Sequence, residues 1–132
     1  MLSILPRLSS RRWLGLLIFL AVVARLVTAL LMGDRVSELP GIQDQITYDA
    51  LAQRLGAGKG YSFAEGWYPF TPPETPTAHW SFLYPIWLAA VYSVVGYHPL
   101  LARLLQAIIV GIATSLFVYR LTRRLFGVEV AL

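Results

Sequence analysis

Asp44 is the acidic residue whose position best suits chemistry. It lies four residues before Tyr48, in the first turn of a helix that the apolar spacing predicts near residues 43–55. The unpaired backbone N–H groups at a helix N-terminus favour an ionised carboxylate, which can accept a proton or bind a cation. The same position suits a helix-capping aspartate, so both interpretations stay open. Asp49 points to another face of this helix.

Two arginines lie inside long apolar stretches, where an unpaired cation costs a few kcal/mol. Arg103 and Gln106 are three residues apart and can face one site at the level of the lipid headgroups. A phosphate bound there would offset the cost, although Arg103 could equally extend its side chain to the outer headgroups. For Arg25, pairing with a neighbouring helix is the better interpretation.

Several other kinds of site are disfavoured by the sequence. The absence of cysteine excludes disulfides, thiolate zinc sites and cysteine nucleophiles. Residues 56–61 are rich in glycine but lack the Gly-Lys-Ser/Thr ending of a phosphate loop. Aromatic residues could stack on a sugar ring, or could form an aromatic belt at a membrane surface. These residues are Tyr61, Phe63, Trp67, Tyr68, Phe70 and Trp80.

The composition is that of an all-α membrane protein. Of the 132 residues, 57% are hydrophobic and 14% charged, whereas about a quarter of a soluble domain is charged. The apolar residues concentrate in two stretches, 13–32 and 100–119, each as long as a transmembrane helix. No basic run alternates with aromatic residues, which argues against nucleic acid as a partner. The lipid bilayer is the partner that this composition predicts.

The charges outside these stretches predict the topology. Residues 33–99 carry six acidic and three basic residues, a net charge of −3, whereas arginines flank the outer end of each apolar stretch. By the positive-inside rule, residues 1–12 and 120–132 are cytoplasmic and residues 33–99 form a large extracytoplasmic loop. A second loop helix is predicted near 85–95. The uncharged run 80–96 has seventeen residues, at the lower edge of spanning length, and would place residues 120–132 outside if it crossed the membrane. Because Pro85 divides this run and the helix after it has only about a dozen residues, we favour a helix lying along the outer membrane surface.

The order of three motifs carries a resemblance to a known family. In chain order the motifs are Asp44-x3-Tyr48-x2-Leu51-Ala52-x2-Leu55-x2-Gly58-x-Gly60-Tyr61, then Pro76-Thr77-Ala78-x-Trp80-x3-Tyr84-Pro85-x2-Leu88-Ala89-x2-Tyr92-x3-Gly96, then Arg103-x2-Gln106. Placed across two spans, they resemble the start of the GT-C integral-membrane glycosyltransferases. This group includes protein O-mannosyltransferases, aminoarabinose transferases and the bacterial family 39 and 83 enzymes.

The resemblance implies a site and a reaction. Asp44 would be the catalytic carboxylate of the first extracytoplasmic loop, acting on the acceptor as a base or, as in some members, through a divalent metal. The donor would be a polyprenyl-phosphate-linked sugar, whose phosphate Arg103 and Gln106 would bind. Contacts to the acceptor or the sugar would come from Tyr48, Trp80 and Tyr84.

Family members are several hundred residues long, and residues 127–132 resemble the approach to a third span. We therefore expect an N-terminal part of a polytopic protein of the cytoplasmic membrane, inactive without the remaining transmembrane helices. Two other functions fit the same two spans. One is a non-enzymatic membrane protein whose loop binds a partner or a glycan, and the other is a transporter subunit with Arg25 and Arg103 along its pathway.

Overall fold

The computed structural model describes residues 10–66, 69, 71–127 and 130–131. Within them the chain is all-helical, which confirms the all-α part of the predicted class. It contains α1 (Ser10–Met32), α2 (Asp44–Gly56), α3 (Leu83–Val95) and α4 (Pro99–Phe126). Trp67, Tyr68 and Phe70 lie outside the described residues, as do most of the predicted N-terminal tail and part of the predicted C-terminal segment.

Two of these helices are long and apolar enough to cross a membrane. They cover Arg12–Met32, with 21 residues, and Pro99–Phe126, with 28 residues. α4 continues for seven residues beyond the predicted end at 119. Arg123 and Arg124 lie in its last turn, where cations interact favourably with the helix dipole. The predicted boundary followed the apolar stretch, whereas the helix extends into the basic segment.

α1 and α4 approach each other closely at Gly111. A Cβ atom added to this glycine would lie 2.9 Å from Cγ2 of Val22 and 3.6 Å from Cδ of Arg25. Small residues allow such close approach between helices in a membrane. The Arg25 stem therefore packs beside α4, while its guanidinium donates to the Ala21 carbonyl at 3.1 Å.

Replacing Gly111 with leucine should separate α1 from α4. Forcing extra methylene groups into a filled contact costs about 1–3 kcal/mol, so thermal unfolding in detergent should occur at a lower temperature. Gly15→Leu is the matched control, because a Cβ at Gly15 has no neighbour within 4 Å and both changes raise helix propensity alike. Equal melting temperatures for the two variants would contradict this packing.

Residues Gly33–Ala102 form a compact unit, which we call the loop unit. Its core joins α2, α3 and the first turn of α4 through Ala52, Leu88, Val91 and Ala102. Leu51 is also fully buried. α2 thus buries the middle of the apolar face that the sequence pattern indicates.

α3 begins two residues before the predicted start at 85. Pro85 therefore lies in the first turn, where its missing N–H group costs no helical hydrogen bond. With 13 residues the helix is about 20 Å long, shorter than the roughly 30 Å of a hydrocarbon core. α3 packs its buried residues, Pro85, Leu88 and Val91, within the loop unit.

Candidate functional site

Asp44 is the first residue of α2, and its carboxylate is exposed. The N-cap residue is Gln43, which makes no side-chain capping bond. Within the described part of the chain, the Asp44 carboxylate has neither a hydrogen bond nor an ion pair. The alternative capping role therefore has no hydrogen bond to support it. The carboxylate remains available to a ligand.

The three predicted acceptor or sugar contacts lie together, and one of them, Tyr48, follows Asp44 by one helical turn. The Tyr48 ring centroid lies 5.8 Å from that of Trp80 and 5.6 Å from that of Tyr84. Both pairs are edge-to-face, at 81° and 87°, a geometry that favours aromatic pairs. We call Tyr48, Trp80 and Tyr84 the aromatic cluster. Because residues at i and i+4 share a helix face, Asp44 and Tyr48 lie on the same face of α2.

Tyr61 fixes the chain that carries Trp80. Its phenol lies 2.9 Å from the carbonyl oxygen of Ser81 and 3.2 Å from that of Trp80, and donates to them. Burial raises the pKa of the Tyr61 phenol, with a smaller contribution from Tyr48. The phenol consequently stays protonated and can hold this position in the neutral pH range.

The guanidinium fork of Arg54 closes the loop that follows Tyr61. Arg54 donates to Ser62 Oγ at 3.0 Å and to both carboxylate oxygens of Glu74. The Arg54 side chain is 11% exposed, so it lies largely within the unit. Glu74 adopts a φ of 57°, a left-handed conformation uncommon outside glycine. The fork holds the two ends of residues 62–74 together.

Acid should release this fork. The hydrogen bond from Arg54 lowers the pKa of Glu74 below its ordinary 4.5. A lowered folded-state pKa stabilises the fold above 4.5, and this stabilisation disappears as the pH falls through the lowered value. Glu74→Gln should therefore melt below the wild type at pH 6, and the difference should vanish in acid. Glu65→Gln, at an exposed carboxylate, should show no difference at either pH. A Glu74→Gln difference that persists in acid would contradict this role.

A second carboxylate, Asp49, lies inside the loop unit with 6% of its surface exposed. It accepts hydrogen bonds from the Tyr92 phenol at 2.7 Å, the Tyr97 phenol at 2.9 Å and the Gln53 amide at 2.8 Å. Burial, followed by the bond to Asp49, raises the pKa of Tyr92. We call these four side chains the Asp49 network. It ties α2 to α3 and to the link before α4.

Asp34 joins the segment after α1 to the start of α4. Its Oδ1 atom accepts the Leu100 backbone N–H at 2.8 Å, and its Oδ2 atom lies 2.9 Å from Nδ1 of His98. A carboxylate thus satisfies one of the unpaired N–H groups of the first turn of α4. Sequence reasoning missed Asp34 because its partners are more than sixty residues away.

Arg103 and Gln106 lie one turn further along α4, and both are half-buried. Within the described residues, no three His, Cys, Asp or Glu side chains form a group that could hold a metal ion.

Comparison of the chain with protein-family models, curated proteins and solved structures gives no match.

Proposed function

We propose that this chain is the N-terminal part of an integral-membrane glycosyltransferase that uses a polyprenyl-phosphate-linked sugar. The observation that carries the proposal is the exposed Asp44 carboxylate, one helical turn from Tyr48 of the aromatic cluster. The motifs of the GT-C resemblance add support. In this proposal α1 and α4 span the cytoplasmic membrane, both ends are cytoplasmic and the loop unit is extracytoplasmic.

The proposed reaction replaces a phosphate ester by a glycosidic bond. The acceptor hydroxyl attacks the anomeric carbon of the donor sugar, and Asp44 takes the hydroxyl proton. The bond from that carbon to the phosphate oxygen breaks, and its electron pair leaves with the polyprenyl phosphate. The faces and edges of the aromatic cluster offer an apolar surface for the acceptor or the sugar ring.

Replacing Arg103 with alanine should weaken binding of the donor lipid. A hydrogen bond to a charged group contributes about 1.5–3 kcal/mol, so the expected loss of affinity is roughly tenfold to a hundredfold. Arg103→Lys should retain part of the affinity, because it keeps the charge but not the two-pronged geometry. Binding can be measured with farnesyl phosphate and the full-length protein in detergent.

Arg25→Ala is the matched control for this experiment. The Arg25 guanidinium binds a carbonyl of its own helix, so its removal should leave affinity for farnesyl phosphate unchanged. If Arg103→Ala binds farnesyl phosphate as tightly as the wild type, Arg103 does not contact the phosphate. That result would contradict the proposed binding of the donor phosphate by Arg103.

One alternative has an observation in its favour. The aromatic cluster by itself is the kind of surface that a non-enzymatic glycan-binding protein needs, and its rings are already packed together. Such a protein has no use for a proton acceptor. Glycan binding that is insensitive to Asp44→Asn, with no transfer by the wild type, would favour this alternative over the transferase.

A further inference from the structure

A rigid apolar turn immediately precedes α2. The Ile42 N–H donates to the Leu39 carbonyl at 3.1 Å, and Gly41 has a φ of 73°. With Pro40 at the second position and glycine at the third, this arrangement fits a type II turn. Leu39 and Ile42 are paired in an isolated bridge, which directs their side chains to the same side. They are 48% and 54% exposed.

Gln45 fastens this turn to the first turn of α2. Its amide nitrogen donates to the Ile42 carbonyl at 2.9 Å and to the Ser37 carbonyl at 3.1 Å. Both sides of the turn are thereby held by one side chain. These bonds hold the backbone of the turn against the start of α2.

The turn is tethered close to the first turn of α4. Asp34 is hydrogen-bonded to Leu100, and Leu39 is the fifth residue after Asp34. Because an extended chain covers at most about 3.5 Å per residue, Leu39 lies within roughly 17 Å of this point. In the proposed topology α4 enters the membrane there. The turn is therefore within reach of the headgroup and acyl boundary.

The chemistry of the turn fits the lipid surface. No charged residue lies between Glu38 and Asp44, so insertion of the tip desolvates no charge. It would remove two large apolar side chains from water, which is favourable in proportion to the buried area. We infer that residues 39–42 insert into the outer leaflet as a wedge.

Insertion of the wedge would fix the position of Asp44 relative to the membrane surface. Asp44 follows Ile42 by two residues and would be held at the level of the headgroups. This step rests on the proposed function. If Asp44 is the base, its placement indicates that the acceptor hydroxyl is presented at the membrane surface. An acceptor carried on a lipid or on a membrane-bound glycan meets this condition.

Insertion can be tested with nitroxide labels on the full-length protein in vesicles of phosphatidylcholine and phosphatidylglycerol at about three to one. The 132 residues contain no native cysteine, so Leu39→Cys and Ile42→Cys add single labelling positions in this part of the chain. Lys59→Cys, at an exposed residue beyond the other end of α2, is the control. Relative to the control, the ratio of collisions with oxygen to collisions with a soluble nickel chelate should shift upward at both turn positions.

Two results would overturn the wedge. Nickel accessibility equal to that of Lys59→Cys would place the turn in water, and low accessibility to both reagents would place it under protein, including a second copy of the chain. The measurement needs no sugar transfer. Loss of the proposed activity with lipid exposure retained would therefore count against the transferase and not against the wedge.

Discussion

Replacing Asp44 with asparagine should remove most sugar transfer while preserving the fold and the abundance of the full-length protein. Asparagine has the same size but neither accepts a proton at neutral pH nor replaces the charge of a metal ligand. A positioned general base contributes roughly 10²–10⁴-fold to rate, so we expect at least about a hundredfold loss of initial rate. Because Asp44 is exposed and has no hydrogen bond or ion pair within the described residues, its replacement should change the free energy of unfolding little.

Glu38→Gln provides the control for Asp44→Asn. Glu38 is another exposed carboxylate of the loop unit, six residues earlier in the chain, and its change alters net charge by the same amount. Transfer by Glu38→Gln should stay close to that of the wild type. Near-normal turnover by Asp44→Asn would rule out this residue as the base.

Replacing Asp49 with alanine should destabilise the loop unit more than any surface change. The substitution removes the acceptor of two phenols and one amide. Hydrogen bonds to a charged group contribute about 1.5–3 kcal/mol each. The free energy of unfolding should therefore fall by at least about 3 kcal/mol, which denaturant titration of the full-length protein in detergent can measure. Protease cleavage within residues 33–102 should increase in parallel.

The Tyr92→Phe variant separates the network from a general effect of altering a buried side chain. Phenylalanine removes one hydrogen-bond donor to Asp49 but keeps the ring, whose centroid lies 5.2 Å from that of Tyr97. If Asp49 and Tyr92 act together, the double variant Asp49→Ala/Tyr92→Phe should lose less free energy of unfolding than the two single variants lose in sum. Additive losses, or an Asp49→Ala change within about 0.5 kcal/mol of the wild type, would contradict the network.

The spacing of apolar residues predicted the helices well, because it follows the 3.6-residue turn of a helix and needs no contact distant in sequence. Apolar residues spaced at three and four, such as Leu51 and Leu55, indicate α2 and its packed face. Apolar length likewise indicated α1 and α4. The ends were less certain, because α4 continues past its apolar stretch into Arg123 and Arg124.

The contacts that shape the loop unit could not be derived this way, since they join residues distant in sequence. Asp49 was assigned correctly to a different face from Asp44, but nothing local indicates that this face meets Tyr92, 43 residues away. The fork from Arg54 to Glu74 spans twenty residues. Two aspartates five residues apart on one helix thus have opposite environments, one exposed and one buried, and only tertiary packing distinguishes them.

The proposed donor chemistry can be tested directly by supplying purified, reconstituted full-length protein with labelled sugars in two forms. One set is linked to polyprenyl phosphate and the other to a nucleoside diphosphate, with mannose, glucose, galactose and aminoarabinose in each set. We expect transfer from at least one polyprenyl-phosphate donor into the acceptor fraction, none from the nucleotide sugars, and loss of that transfer in Asp44→Asn. Transfer from a nucleotide sugar alone, or lipid-linked transfer unaffected by Asp44→Asn, would contradict the account.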